Sequence, residues 1–266
     1  MKISLIITTY NRPEALAVVL NSVKKQRLLP NEVLIADDGS TAATSALLVE
    51  AAQDFPCPIA HIWQEDLGFR LAEIRNKALA KASGEYIVLI DGDMVLDKNF
   101  IYDHSLFAQK GSFIQGSRCL LDELLTARLL SGELEMPNFF SQGLAKPFSS
   151  LRILPLAKLI TLFKNQNLRR TKFCNVGFWL EDAQKINGFD NRFVGWGRED
   201  SDFVARLYHS GIYRRNLKFA AIAYHLWHAE HSRKALKNNE ELLNFTLRNR
   251  LVLTPNGMGE ITPQIY

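Results

Sequence analysis

Along the first half of the chain, short apolar runs alternate with stretches whose apolar residues recur at helical spacing. Lys2–Thr8 and Glu32–Ala36 are apolar runs of strand length. So are Ile59–Trp63, Tyr86–Ile90 and Ser112–Gly116. Between them the pattern predicts helices over Pro13–Gln26, Thr41–Gln53 and Arg70–Ala82, and another over Asp97–Gln109. Pro13 suits a first helical turn, and Ser83-Gly84 stops the third helix. In that third helix Leu71, Ile74, Ala78 and Ala82 share a face. Strands separated by single helices imply a parallel sheet with right-handed crossovers. The second half is less regular. It predicts a helix over Glu199–His209, a strand over Leu217–Ala223, a helix over Ala235–Val252, and a loosely tied tail over the last dozen residues.

Three of the early strands end in polar clusters. The first runs into Thr8-Thr9-Tyr10-Asn11-Arg12-Pro13, the second into Asp37-Asp38-Gly39-Ser40, and the Tyr86–Ile90 strand into Asp91-Gly92-Asp93. In a parallel sheet all three fall on one rim, where open α/β sheets bind ligands. The first turn puts backbone groups and a helix N-terminus beside a nucleotide site. It has no glycine-rich phosphate loop, which weighs against dinucleotide and P-loop enzymes. Asp38 can accept hydrogen bonds from a ribose or base, although Asp and Gly also simply make turns. Asp91 and Asp93 repel each other unless donors or a cation neutralise them. A hard divalent ion bound to substrate phosphates answers that need, and a plain Asp-Gly turn is the alternative.

Composition changes this picture in one place. The chain has 266 residues, 47% of them hydrophobic and 23% charged, as in an ordinary globular protein. The net charge of +4 is unevenly spread. Met136 to Leu180 contain no Asp or Glu but carry Lys146, Arg152, Lys158, Lys164, Arg169, Arg170 and Lys172, so the rest of the chain is net negative. This insert of loops and short amphipathic helices, residues 136–172, implies an anionic partner, an anionic membrane surface or a lipid-linked oligosaccharide. A solvated, variable flap is the alternative. Cys57, Cys119 and Cys174 lack metal-ligand spacing and suggest a reducing compartment. The apolar start is too short for a signal peptide, and no run approaches the ~20 apolar residues of a membrane span.

The second half adds two further clusters. In Gly195-Trp196-Gly197-Arg198-Glu199-Asp200-Ser201-Asp202 the glycines let the backbone bend and bring an indole face against a ligand. The acids that follow open a helix, where they complement its dipole or take a proton from a hydroxyl. Downstream, His225-Leu226-Trp227-His228 offers imidazoles to a transition ion.

Taken in order, Thr8–Arg12, Asp37–Ser40, Arg75-Asn76 and Asp91–Asp93 resemble the family 2 glycosyltransferases of the GT-A fold. Residues 175–202, with Asn187-Gly188-Phe189-Asp190 and the Gly195–Asp202 block, are similar to the carboxyl-terminal part of β-1,4-galactosyltransferases and bacterial chondroitin-polymerase-type transferases. The resemblance implies a mainly parallel, Rossmann-like α/β sheet flanked by helices, in one domain over 1–266. Residues 1–120 would be its nucleotide-sugar half, 136–172 the insert and 173–266 the acceptor part. It implies inverting transfer of galactose, N-acetylgalactosamine or a related hexose from a UDP-sugar to a glycan hydroxyl, in bacterial surface polysaccharide or lipopolysaccharide synthesis. Asp200 would be the base and Glu199 its companion. Thr8, Thr9, Tyr10, Asn11, Arg12, Asp38, Arg70, Arg75, Asp91, Gly92 and Asp93 would hold the donor. Asp93, His228, His225 and Asp91 would hold Mn²⁺ or Mg²⁺, and Trp196 with Gly197 would stack on sugar. Apart from the resemblance, the nearby basic residues Arg233 and Lys234 could meet the diphosphate, and simple solvation is the alternative. Nucleic acid is not an expected partner, and the expected location is cytoplasmic, peripheral to the inner face of a membrane. A sugar nucleotidyltransferase and a non-catalytic sugar-binding relative are the rival readings.

Overall fold

The computed structural model describes residues 1–229 and 235–260. Its first 116 residues follow the predicted alternation: β1 (Ile3–Thr9), α1 (Pro13–Lys24), β2 (Glu32–Asp37), α2 (Ala42–Ala52), β3 (Ile59–Trp63), α3 (Leu71–Lys81), β4 (Tyr86–Asp91), β5 (Met94–Leu96), α4 (Phe100–Phe107) and β6 (Ser112–Gly116). Between β6 and the insert lie β7 (Cys119–Leu121) and α5 (Glu123–Leu130), and the insert, residues 136–172, contains β8 (Leu144–Ala145), α6 (Leu154–Thr161) and β9 (Lys164–Asn165). After it come β10 (Asn175–Trp179), α7 (Leu180–Lys185), α8 (Glu199–His209), β11 (Tyr213–Leu217), β12 (Ala223–His225) and α9 (Leu236–Arg248).

The main sheet has the order β3-β2-β1-β4-β10-β6-β11-β9. Its first four strands are parallel, and β10 lies antiparallel between β4 and β6. Strand β4 is central, and Tyr86 through Ile90 are fully buried. Successive side chains of a strand point to opposite faces, and the core divides accordingly. Leu5, Ile7, Val88 and Ile90 pack with Leu16 and Val19 of α1 on one face. Ile6, Ile87 and Leu89 pack with Ile74 and Ala78 of α3 and Phe203 and Leu207 of α8 on the other. A continuous apolar run is what a strand covered on both faces requires.

A second sheet, β5-β12-β7-β8, stands beside the β4 end. It places His225 opposite Met94, one residue from Asp93. The predicted strand over Leu217–Ala223 is corrected here. Only its two ends, Leu217 of β11 and Ala223 of β12, are strand; residues 218–222 are the link between them, and Phe219 and Ala221 take φ of 59° and 46°, outside the strand region. The link is nevertheless buried, because Asp103 accepts the Ala221 N–H (3.0 Å) and Asn175 donates to the Ala221 carbonyl (3.0 Å). Apolar composition alone does not separate such a buried link from a strand. The tail also departs from expectation up to Gly259. The Met258 N–H bonds the Asn187 carbonyl (3.0 Å), and the Gly259 N–H bonds Asn187 Oδ1 (2.9 Å).

Candidate active site

Parallel pairing of β1 with β2 and β4 brings the three polar strand ends to one rim. The turn after β1 is laced to the turn after β2. The Asn11 N–H donates to Ser40 Oγ (2.8 Å), the Thr41 N–H to Asn11 Oδ1 (2.9 Å), and the Asp38 N–H to the Thr9 carbonyl (3.0 Å). Asn11 itself has φ of 48°, a conformation Asn tolerates better than most residues. Asp38 accepts from the Arg70 N–H (2.8 Å) and from Gln64 (2.5 Å). Burial raises its pKa and these donors oppose the rise. The Arg70 side chain is committed to Glu73 (3.0 Å) and to the Glu65 carbonyl (2.5 Å). Its demonstrable part in the site is therefore its backbone N–H. Tyr10 stands half exposed and donates to Asp66 (2.9 Å).

The two aspartates of the β4 turn face different partners. Thr8 Oγ1 donates to Asp91 Oδ1 (3.2 Å), and Arg75 lies 3.5 Å from the same oxygen. Asp93 points the other way, toward Arg12 (3.0 Å), His228 (3.5 Å) and His225 (3.7 Å). One ligand atom from each of Asp93, His225 and His228 falls within 4.8 Å of the others. Asp91 is outside this group, so the expectation of Asp91 as a fourth ligand is not met by its position. Gly92 allows the close turn. Its N–H donates to the Thr8 carbonyl at 2.6 Å, and an added Cβ would sit 2.6 Å from that oxygen.

The electrostatics of the trio suit a cation. Burial, then the Asp91 charge, pushes the Asp93 carboxyl up to about 6. Burial, with Arg118, His228 and Arg12 nearby, pushes His225 down to about 3, so its imidazole is neutral and ready to ligate. His228 Nδ1 lies 2.7 Å from the Ala229 carbonyl, which leaves Nε2 facing Asp93. Asp93 Oδ1 is buried with no hydrogen-bond partner among the described residues. A divalent ion accepting two imidazoles and a carboxylate fits this donor set. Arg233 and Lys234, expected at the diphosphate, lie outside the described residues.

The acidic block opens α8 close by. Arg75, fully buried on α3, reaches Asp200 Oδ1 (2.7 Å) and Glu199 (3.7 Å) as well as Asp91. Burial works against the Arg75 charge, and the three carboxylates outweigh it and hold the guanidinium above its ordinary pKa. The Phe173 N–H donates to Asp200 Oδ2 (3.1 Å), fixing the carboxylate at both oxygens. Burial raises Asp200, against the pull of Arg75. Burial and the Asp200 charge push Glu199 up to about 8. Arg75 is a full ångström closer to Asp200 than to Glu199, so it opposes the burial-driven rise more strongly at Asp200.

Trp196 is 39% exposed between Gly195 and Gly197, whose φ values of 76° and 107° favour glycine. Asn239 of α9 donates to the Gly197 carbonyl (2.8 Å) and holds the loop. A groove of 580 Å³ along α9 borders it at Val194 and Ala235, and its lining includes none of the aspartates or histidines above. The sequence reading missed Gln64, Asn239 and Arg118. Gln64 and Asn239 act through amides far away in sequence and belong to no short motif. Arg118 follows β6 with no pattern around it.

Comparison with known proteins agrees with this geometry. Residues 4–137 match the model of Glycosyl transferase family 2, and residues 161–231 match that of the N-terminal domain of galactosyltransferase. Chondroitin synthase of Escherichia coli is 30% identical over 241 residues, covering 84% of this chain and 34% of that protein. The chain thus spans about a third of that relative's length. S. aureus TarS 1-349 in complex with UDP-GlcNAc superposes with a TM-score of 0.61 at 19% identity, covering 92% of this chain and 66% of that one. Mannosyltransferase PcManGT from Pyrobaculum calidifontis, in complex with GDP-Man and Mn²⁺, gives 0.60 at 16% identity, covering 94% and 64%. These neighbours share the GT-A fold. With the family model covering half of the sequence, the chain belongs to glycosyl transferase family 2.

Proposed function

We propose that the protein transfers a hexose, galactose or N-acetylgalactosamine or a close relative, from a UDP-sugar to a hydroxyl of a glycan acceptor with inversion. One observation carries the reading. A buried arginine ties Asp200, fixed at both oxygens, to a strand turn whose other aspartate faces two histidines. Two separate chemical stations, one for a leaving group and one for a nucleophile, thereby share one rim. The neighbours' nucleotide-sugar complexes and the chondroitin synthase relative support the donor class and a role in bacterial surface polysaccharide or lipopolysaccharide synthesis. In this reading 1–266 is one domain, with 1–120 binding the donor and 173–266 presenting the acceptor.

The residues divide the work as follows. Asp38 and the Thr8–Arg12 turn hold the nucleoside, with Asp38 kept in place by Gln64 and the Arg70 N–H. Asp93, His225 and His228 would hold Mn²⁺ or Mg²⁺, which when bound offsets charge growing on the diphosphate. Asp200, paired with Arg75, removes the proton from the acceptor hydroxyl, and that oxygen attacks the anomeric carbon from the face opposite the leaving group. Protonated Glu199 donates a hydrogen bond to a sugar oxygen. Trp196 packs on a sugar face.

The test is Asp200→Asn. We expect transfer, followed as UDP release over a panel of UDP-sugars, to fall by at least about 10²-fold, with UDP affinity retained. Unchanged transfer removes Asp200 as the base. Pyrophosphate formation from UTP would instead establish a nucleotidyltransferase.

A further inference from the structure

Strand β3 is the edge of the main sheet beside β2. Two of its residues, His61 and Trp63, lie two positions apart and so share a face. Parallel pairing sets His61 level with Ile35 and Trp63 level with Asp37. Asp37 is fully buried, and its two oxygens have separate partners. The Ser40 N–H donates to Oδ1 (2.8 Å), and His61 Nε2 lies 2.8 Å from Oδ2. A carboxylate only accepts, so Nε2 is the donor. Trp63 is 51% exposed, yet its indole N–H donates to the Ser40 carbonyl (3.2 Å). Next along the chain, the Gln64 N–H bonds the Asp37 carbonyl (3.2 Å).

These bonds form one relay across three strands. Ser40 is held from β3 twice, at its N–H through Asp37 and at its carbonyl by Trp63. Its Oγ in turn accepts the Asn11 N–H of the β1 turn (2.8 Å). Asp38 therefore sits between two residues, Asp37 and Ser40, that the edge strand fixes. The turn has little slack on its far side, where a Cβ on Gly39 would lie 2.6 Å from Asp66 Cα. Taking one donor from a buried carboxylate is costly, and movement of the turn toward solvent relieves it. That movement carries Asp38 and Asn11 with it. The Arg75–Asp200 pair is built on α3 and α8 instead, with Asp91 of β4, so the relay leaves the acceptor station untouched.

We propose that His61 and Trp63 are positioning residues for the nucleotide donor, fixing from the edge strand the two turns that receive its nucleoside. Their role rests on the nucleoside-binding part given above to Asp38 and the Thr8–Arg12 turn. In calorimetric titrations of the full chain with UDP and Mn²⁺, His61→Leu should raise the UDP Kd roughly tenfold. His61→Gln, whose amide donates from the place of Nε2, should bind within about twofold of wild type. In turnover with the UDP-sugar that the donor panel selects, His61→Leu should raise donor KM and leave kcat and acceptor KM unchanged. A purely structural role would show neither the rescue by Gln nor the confinement to donor KM. If circular dichroism shows His61→Leu unfolded, Trp63→Phe decides: loss of the indole N–H should raise the UDP Kd roughly threefold. Unchanged UDP affinity in the folded variant, no rescue by His61→Gln, or a parallel fall in kcat overturns the proposal. No UDP binding by the wild-type protein overturns the donor reading, and this role with it; wild-type binding with an unaffected variant overturns this role alone.

Discussion

Arg75 holds the site together at the scale of single residues. Its guanidinium is 2% exposed and faces three carboxylates from two distant parts of the chain. Removing one partner from a buried ionic group leaves the others uncompensated. Arg75→Met should therefore lower unfolding free energy by ~3–5 kcal/mol in urea titrations. An effect below ~1 kcal/mol, the level of an exposed ion pair, would contradict the burial argument. Glu199 gives a pH signature. Its pKa is raised from an ordinary 4.5 to about 8, so the folded state binds its proton more tightly than the unfolded chain does. That contribution to stability is fully present below pH 4.5 and is lost as pH rises through 8. Glu199→Gln should flatten this part of the profile and gain stability relative to wild type at pH 9. Parallel profiles for the two proteins between pH 5 and 9 would exclude the shift. Asp38, Asp93, Asp200 and the two histidines were legible as chemistry in the sequence. Their partners were not, since Gln64 and Phe173 act through an amide and a backbone N–H that no residue type announces.

At the scale of elements, the parallel strands could be read because burial on both faces demands unbroken apolar runs. Strand β4 shows this most directly. The β11–β12 region was misread because its link is as apolar as a strand, and side-chain bonds from Asp103 and Asn175 let it stay buried without a ladder. Two element-scale expectations follow from close contacts. Gly92→Ala puts a Cβ 2.6 Å from the Thr8 carbonyl, which has no room to retreat within the β1–β4 ladder. A loss of ~1–3 kcal/mol in thermal or chemical unfolding is expected. Asn239→Ala removes the amide that holds Gly197. Acceptor KM should rise while UDP affinity stays constant, and a change confined to UDP affinity would detach Trp196 from acceptor binding.

For the whole molecule, the two sheets meet where Asp93 and the His225–His228 segment converge. A ligand that binds the folded state alone raises apparent stability by mass action. UDP with Mn²⁺ should therefore raise Tm more than UDP and Mn²⁺ separately, and His228→Ala should abolish the extra increment. If the increment persists in that variant, His228 is not a ligand. The insert carries a separate expectation. Ala157 and Thr161 of α6 are buried, while Leu159, Leu162 and Phe163 are 55%, 69% and 70% exposed beside Lys158. No helix among the described residues is long and apolar enough to cross a membrane. An exposed apolar face flanked by a cation suits shallow contact with an anionic bilayer. Cosedimentation with phosphatidylglycerol vesicles should be lost in Leu162→Ser/Phe163→Ser, and absence of wild-type binding removes the idea.

The sequence alone determined the alternation of strands and helices, the single rim to which three polar turns belong, and the residue types available there. Those features follow from local rules: side-chain period, turn chemistry, and the order of elements along the chain. Only tertiary structure decided which partners each group meets. It turned Asp91 toward Arg75 and Asp93 toward the histidines, although the two are separated by a single glycine. It also tied one cation of the basic insert, Arg152, to the buried Asp103. The reason is physical: electrostatic energy depends on distance and burial, and both are set by contacts between residues far apart in the sequence, such as Arg75 and Asp200, 125 positions apart.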